Sequence, residues 1–351
     1  ISSDGPHAHY YIRLGWAKVF ETLGHTVNMW DIHSKNPFDA FDEFEPDVFI
    51  GQTYNLNDSL VKCIKERPNL KYCLRASDWG DIQSDIDASK YNVLIANKTE
   101  ISFVEELVQS NAPEFVYNHY HDRWMKVTHN KWESVGVKPV SMMSAADVFE
   151  YMGGVQKPEL MCDLGFVGGY WEYKGRNLDP YLLQFSYPIG EYNLKIFGNQ
   201  GWPGAHYLGW IDNARVKDLF VSSTICPNVS EPHSQDFGYD IIERPFKVLA
   251  AGGFCISDYV QSMAEDVFMN DEIVFAKTPR EFKELSDHFI ANPDERTPYI
   301  ERGQNCVLEN HTYFHRVATM LEELGLKEDA DKCMDVYRQI WFSHKLSSKG
   351  F

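Results

Sequence analysis

The sequence predicts an α/β protein built from two Rossmann-like, doubly wound parallel-sheet domains, and three observations predict it. Short apolar runs alternate with stretches of helical periodicity from end to end, the pattern of parallel strands covered on both faces. A chain of 351 residues exceeds what one hydrophobic core organises, so domains of roughly 150–170 residues are expected. The apolar run 225–229 is followed by a loop dense in Ser, Pro, His, Asp and Gly, a composition that extends neither neighbour.

In the first domain, residues 1–155, strands are expected at 1–3, 26–30, 47–51, 72–75, 93–96 and 115–118. Helices are expected at 9–23, closed by Gly24, and at 56–67 and 101–110. The chain opens at Ile1, so the first strand is expected to lack a few residues. The Gly- and Pro-containing segment 152–159 reads as a linker. In the second domain, residues 160–328, strands are expected at 164–167, 194–197, 225–229, 254–257 and 273–276, with helices at 178–185, 214–222, 279–291, 294–308 and 314–324. A last helix within 329–351 carries Met334, Tyr337, Ile340 and Trp341 at helical spacing. It either packs on its own domain or crosses back to the first.

Composition narrows the function. A net charge of −18 disfavours general nucleic-acid binding, which depends on Lys and Arg neutralising phosphates. The seven cysteines are scattered without a C-x-x-C pair, as expected of reduced core thiols. No signal peptide or transmembrane run is visible, and a cytoplasmic location is expected.

Residues 225–258 are the most informative stretch, reading as strand, polar loop, helix, Gly-Gly, strand and then an acid. Pro245 suits a first helical position, and Arg244 stands immediately before it. A guanidinium beside the unpaired N–H groups of a helix start suits a diphosphate. Phe246, Val248, Leu249 and Ala250 would bury the helix, and Gly252-Gly253 would end it.

Taken in order, the second half closely resembles the C-terminal domain of GT-B glycosyltransferases, in particular the spore-coat-maturation-like group with its "glycosyl transferases group 1" domain. The resemblance rests on Asp163-Leu164-Gly165-Phe166-Val167-Gly168-Gly169, Ile196-Phe197-Gly198, Tyr207-Leu208-Gly209-Trp210 and Pro227-Asn228-Val229. It continues through the run from Phe246 to Tyr259, then Asn292-Pro293-Asp294, Arg302-Gly303 and His311-Thr312-Tyr313-Phe314. The first half resembles the family in architecture alone.

The resemblance implies the GT-B fold, two such domains facing a cleft, and transfer of a sugar from a nucleoside diphosphate sugar to an acceptor hydroxyl. The leaving diphosphate is then stabilised by basic groups and a helix N-terminus instead of a metal, and no cofactor is expected. The nucleotide-sugar contacts it implies are Gly168, Gly169, Arg176, Asn228, Arg244, Pro245, Phe246 and Asp258, with Lys174 as a further phosphate candidate. Related families often carry two glutamates seven positions apart, the second on the ribose. Tyr239 and Lys247 occupy those positions here, and Asp240 and Glu243 stand close enough to take over.

Transfer with inversion needs a base on the acceptor hydroxyl. Asp4, His7 and His9 follow the first strand and Asp78 follows another, which makes them the candidates. His119 and His121 alternate at a strand end and so point apart, a poor arrangement for a metal. The acceptor is open among a glycan, a lipid, a protein and a modified base. The missing glutamate pair leaves a non-catalytic nucleotide-sugar binding module as the alternative. A Rossmann oxidoreductase is weakened by the absence of G-x-G-x-x-G after the retained strands.

Overall fold

The computed structural model describes residues 1–3, 8–76, 98–204 and 206–348. The chain forms two compact units, one of Ile1–Met143 with Tyr313–Phe351 and one of Ser144–Thr312. The first boundary thus lies upstream of the 152–159 segment, and residues 313–351 group with the first unit.

The first unit runs β1 (Ser2–Ser3), α1 (Ala8–Thr22), β2 (Trp30–Asp31), α2 (Pro37–Phe44), β3 (Val48–Gln52), α3 (Asp58–Lys65), β4 (Lys71–Arg75), α4 (Lys98–Val108), β5 (Phe115–Asn118), α5 (Asp122–Thr128), α6 (Asn130–Val135) and β6 (Pro139–Ser141). Strands β3, β4, β5 and β6 form a parallel sheet in that order, and β1 pairs with β2. Asn36 and Asn57 start α2 and α3 by accepting the N–H of Asp39 and Leu60. Trp30, Phe41, Phe49, Leu74, Val116 and Trp132 build the core on one face. The strand expected at 26–30 is reduced to Trp30–Asp31, and the one at 93–96 lies outside the described residues.

The second unit runs α7 (Val148–Tyr151), β7 (Cys162–Val167), α8 (Glu172–Leu182), β8 (Leu194–Phe197), α9 (Asn213–Ser222), β9 (Ser223–Asn228), α10 (Pro232–Phe237), α11 (Arg244–Ala251), β10 (Cys255–Asp258), β11 (Val274–Ala276), α12 (Pro279–Ala291) and α13 (Thr297–Asn310). Its five strands are parallel in the order β11-β10-β9-β7-β8. From β7 the chain winds outward to β8, then returns to β9 on the other side. The topological switch therefore lies between β7 and β9, where ligands of doubly wound sheets bind. Gly252, at φ +90°, takes the left-handed position that ends α11.

Two differences from the sequence reading matter for function. Helix α8 starts at Glu172, six residues before the expected 178, so Lys174 and Arg176 sit on a helix and not in a loop. The polar stretch after β9 contains the short helix α10.

The chain closes with α14 (Tyr313–Glu323) and α15 (Lys327–Ser348) in the first unit. Gly15 of α1 permits the close approach of α14, since a Cβ there would stand 2.3 Å from the Tyr313 ring. No helix among the described residues is long and apolar enough to cross a membrane.

Candidate functional site

The side chain of Arg244, at the start of α11, spans the switch point of the second unit. Its Nη2 donates to the Val167 carbonyl at the end of β7 at 3.3 Å, and its Nη1 reaches Asn228 Oδ1 at the end of β9 at 3.5 Å. The guanidinium lies over the Phe166 ring, 4.2 Å from its centroid. It makes no ion pair among the described residues, and burial lowers its pKa to about 10. Arg244 stays protonated at neutral pH, and Asp258 and Glu231 act on its charge through space without forming an ion pair.

Lys174, in the first turns of α8, is a second cation here. It is 8% exposed, lies 4.8 Å from the Trp171 ring centroid, and approaches Glu231 only to 4.0 Å. Burial, and then the charge of Arg244, bring its pKa down to about 8. A protein of net charge −18 thus holds two mutually repelling cations, Lys174 in α8 and Arg244 beside Gly168.

The loop Gly168-Gly169 is held by backbone and indole: Gly168 N donates to the Phe197 carbonyl at 2.9 Å, and Trp202 Nε1 donates to the Gly168 carbonyl at 2.8 Å. Gly198 has to be glycine, because a Cβ there would meet the Gly168 oxygen at 2.3 Å. A Cβ on Gly168 would meet Arg244 Nη2 at 2.9 Å, so this glycine makes the room in which the guanidinium lies.

The other sequence candidates divide into neighbours and supports. Asn228 is buried and turned toward Arg244 by its Nδ2–Ser257 Oγ hydrogen bond of 2.8 Å. Lys247 donates to Glu243 at 2.7 Å; burial lowers its pKa, but the Glu243 carboxylate more than offsets this and holds it above the ordinary lysine range. Asp240 accepts from His233 Nε2 at 3.0 Å and Ser234 Oγ at 2.9 Å, while His233 Nδ1 bonds the Tyr173 hydroxyl at 2.9 Å. This network, which carries no sequence signature, ties α8 to α10 and to the approach to α11. Pro245 is buried at the helix start, and Arg176 is exposed beside the Tyr173 ring.

Three placements correct the sequence reading. Tyr239 is fully buried and stacked on Phe237, and Phe246 is fully buried between Phe268 and His311, so both are core residues. Asp258 is fully buried and spends its carboxylate on Ser230 N and Oγ at 3.0 Å and Gln235 Nε2 at 2.6 Å. It staples the loop after β9. Burial pushes its pKa up, against these hydrogen bonds.

In the first unit, Asp4, His7 and Asp78 lie outside the described residues. His9 is half-buried in α1 with its ring stacked on His119 at 5.2 Å. His119 is buried, its Nδ1 bonded to the Met142 carbonyl at 2.8 Å, whereas His121 is half-buried and starts α5. His9 and His119 are thus neighbours, and His121 stands apart from them.

Residues 182–322 match a family model described as glycosyl transferase-like. No curated protein matches the sequence. Among solved structures, a glycosyltransferase from Rickettsia africae is similar with a TM-score of 0.60 and 11% identity, over 94% of this chain and 97% of that one. HepE of Anabaena in complex with UDP-glucose follows with a TM-score of 0.58 and 9% identity, over 93% and 98%. T4 phage BGT in complex with its UDP-glucose substrate has a TM-score of 0.51 and 11% identity, over 94% and 96%. At such identities the likeness is one of fold.

Proposed function

We propose that this chain, a glycosyltransferase of the GT-B fold, moves a sugar from a UDP-sugar to an acceptor hydroxyl and does so without a catalytic metal. One observation carries the reading. Arg244 bridges the ends of β7 and β9 at the switch point of the second unit and lacks a carboxylate partner among the described residues. The matched glycosyl transferase-like family model and the UDP-glucose bound to two of the similar structures support a uridine nucleotide.

In this mechanism the diphosphate lies against the Gly168-Gly169 backbone and the first turn of α11. As the bond from sugar to phosphate breaks, negative charge collects on the departing diphosphate. Arg244 and Lys174 are already in place to take it up, without reorganisation at the moment of reaction. The Glu243–Lys247 pair and Asp240 stand on the same approach and are the proposed ribose contacts, with Asn228 orienting Arg244. Asp4, His7, His9 and Asp78 remain the proposed bases for the acceptor hydroxyl. All seven cysteines are free, which supports a reducing, cytoplasmic setting.

The test is a panel of UDP- and GDP-sugars incubated with the chain after chelation of divalent ions, with release of nucleoside diphosphate measured. Slow release from a UDP-sugar supports the proposal. Binding without release would favour a non-catalytic module, and no binding of any nucleotide would contradict it.

A further inference from the structure

In the first unit, three neighbouring strands bring one row of polar side chains together. Gln52 of β3 is in register with Arg75 of β4, and Arg75 with Tyr117 of β5, so the three share a face of the sheet. Helix α1 covers that face, with Trp16 against the Tyr117 ring at 5.7 Å. The same helix contributes Arg13, whose Nη1 donates to the Ser2 carbonyl at 3.1 Å and whose charge acts on both Arg75 and Tyr117.

The row is buried and unfinished. Arg13 and Gln52 are each 1% exposed and Tyr117 is fully buried, with Arg75 half-buried beside them. Arg13 Nη2, Gln52 Nε2, Arg75 Nε and Tyr117 Oη are all buried without a hydrogen bond of good geometry, although, against the rise that burial causes in the Tyr117 pKa, Arg13 lies close enough to the hydroxyl to lower it. Neither guanidinium is in an ion pair among the described residues. Arginine cannot shed its proton to escape burial, and buried charges in native proteins are paired. Water would satisfy the hydrogen bonds but leave the repulsion between the two like charges. An oxyanion does both, because its oxygens accept from the guanidinium forks, the phenol and the amide together.

We propose that Arg13, Gln52, Arg75 and Tyr117 form an oxyanion site in the first unit, which takes the carboxylate or phosphate of a small acidic ligand. The site lies in a different unit from Arg244 and does not depend on the sugar-transfer reading.

Inorganic phosphate and D-glucuronate, titrated separately at constant ionic strength against a chloride control, test it by melting temperature and calorimetry. At least one of them is expected to stabilise the wild-type chain saturably; phosphate alone indicates a phosphate-bearing ligand and glucuronate alone a carboxylate. Arg75→Gln should weaken that binding about tenfold or more, with UDP binding retained. Tyr117→Phe and Gln52→Leu, which keep the packing, should each weaken it about threefold or more, and they decide the matter if Arg75→Gln does not fold. No effect of either anion beyond chloride overturns the proposal, as does wild-type affinity in the variants. Loss of UDP binding alone, with anion binding intact, would count against the sugar-transfer reading and leave this site standing.

Discussion

Lys174 makes nucleotide binding depend on pH in a direction that can be worked out. Burial and the charge of Arg244 hold its pKa at about 8 against an ordinary 10.5. At ~1.36 kcal/mol per pH unit, the charged form in the empty protein is disfavoured by roughly 3 kcal/mol. Because the folded value lies below the unfolded one, the cost is present at pH 7 and is relieved as pH rises from about 8 to 10.5. The ligand-free unit should therefore gain stability across that window. Nucleotide affinity should move the other way, since a diphosphate needs the ammonium it neutralises. Between pH 8 and 9, where the terminal phosphate of UDP is already ionised (pKa about 6), the UDP Kd should rise by up to about tenfold. Calorimetry at pH 8.5 in two buffers of different ionisation enthalpy should show proton uptake on binding. Lys174→Met should bind more weakly at pH 7 and lose both effects. A UDP Kd constant from pH 7 to 9, with no proton uptake, would refute this reasoning.

Four further substitutions separate the roles of the site. Arg244→Ala should weaken UDP by about 10–100-fold through lost charge-assisted hydrogen bonds. Saturation at about 100 times Kd is worth ~2.7 kcal/mol, or about 5–10 °C of melting temperature for a unit of this size, and this shift should disappear in the variant. Gly198→Ala forces a Cβ against the Gly168 oxygen, so it should lower the melting temperature and UDP affinity together, measured by thermal shift and calorimetry. Asp258→Ala leaves the Ser230 and Gln235 donors without their acceptor and should cost about 2–4 kcal/mol in a denaturant melt. Glu243→Gln should cost about 2 kcal/mol at pH 7. Lys247 owes its raised folded pKa to Glu243, so that stabilisation is present below the ordinary lysine value and lost as pH rises through the folded one; stability curves from pH 7 to 11 should differ accordingly.

Local signals made the skeleton of the second unit legible. Strand β8 and helix α12 fall where an apolar run and a Thr-Pro start place them, and β5 does so in the first unit. Arg244 and Gly168 could be found because a helix start and a glycine turn are written in adjacent residues. Features set by distant contacts were hidden. Helix α8 begins through a polar segment containing Gly175, a poor helix former, yet that glycine is what admits the Tyr170 ring, since a Cβ would stand 2.6 Å from its hydroxyl. Helix α10 is too short for periodicity and is held by Tyr173 and Asp258 from elsewhere in the chain. Tyr239, Phe246 and Asp258 stand beside the site in sequence, but only the packing of neighbouring strands and helices shows that they face inward. The row of Gln52, Arg75 and Tyr117 depends on register across three strands and has no linear signature.

The most direct test of the account is a crystal structure of the chain soaked with a UDP-sugar. The account predicts the diphosphate between Gly168-Gly169 and the first turn of α11, with the Arg244 guanidinium at hydrogen-bond distance, ~2.7–2.9 Å, from a phosphate oxygen. A nucleotide bound elsewhere, with Arg244 still resting on Val167 and Asn228, would contradict it.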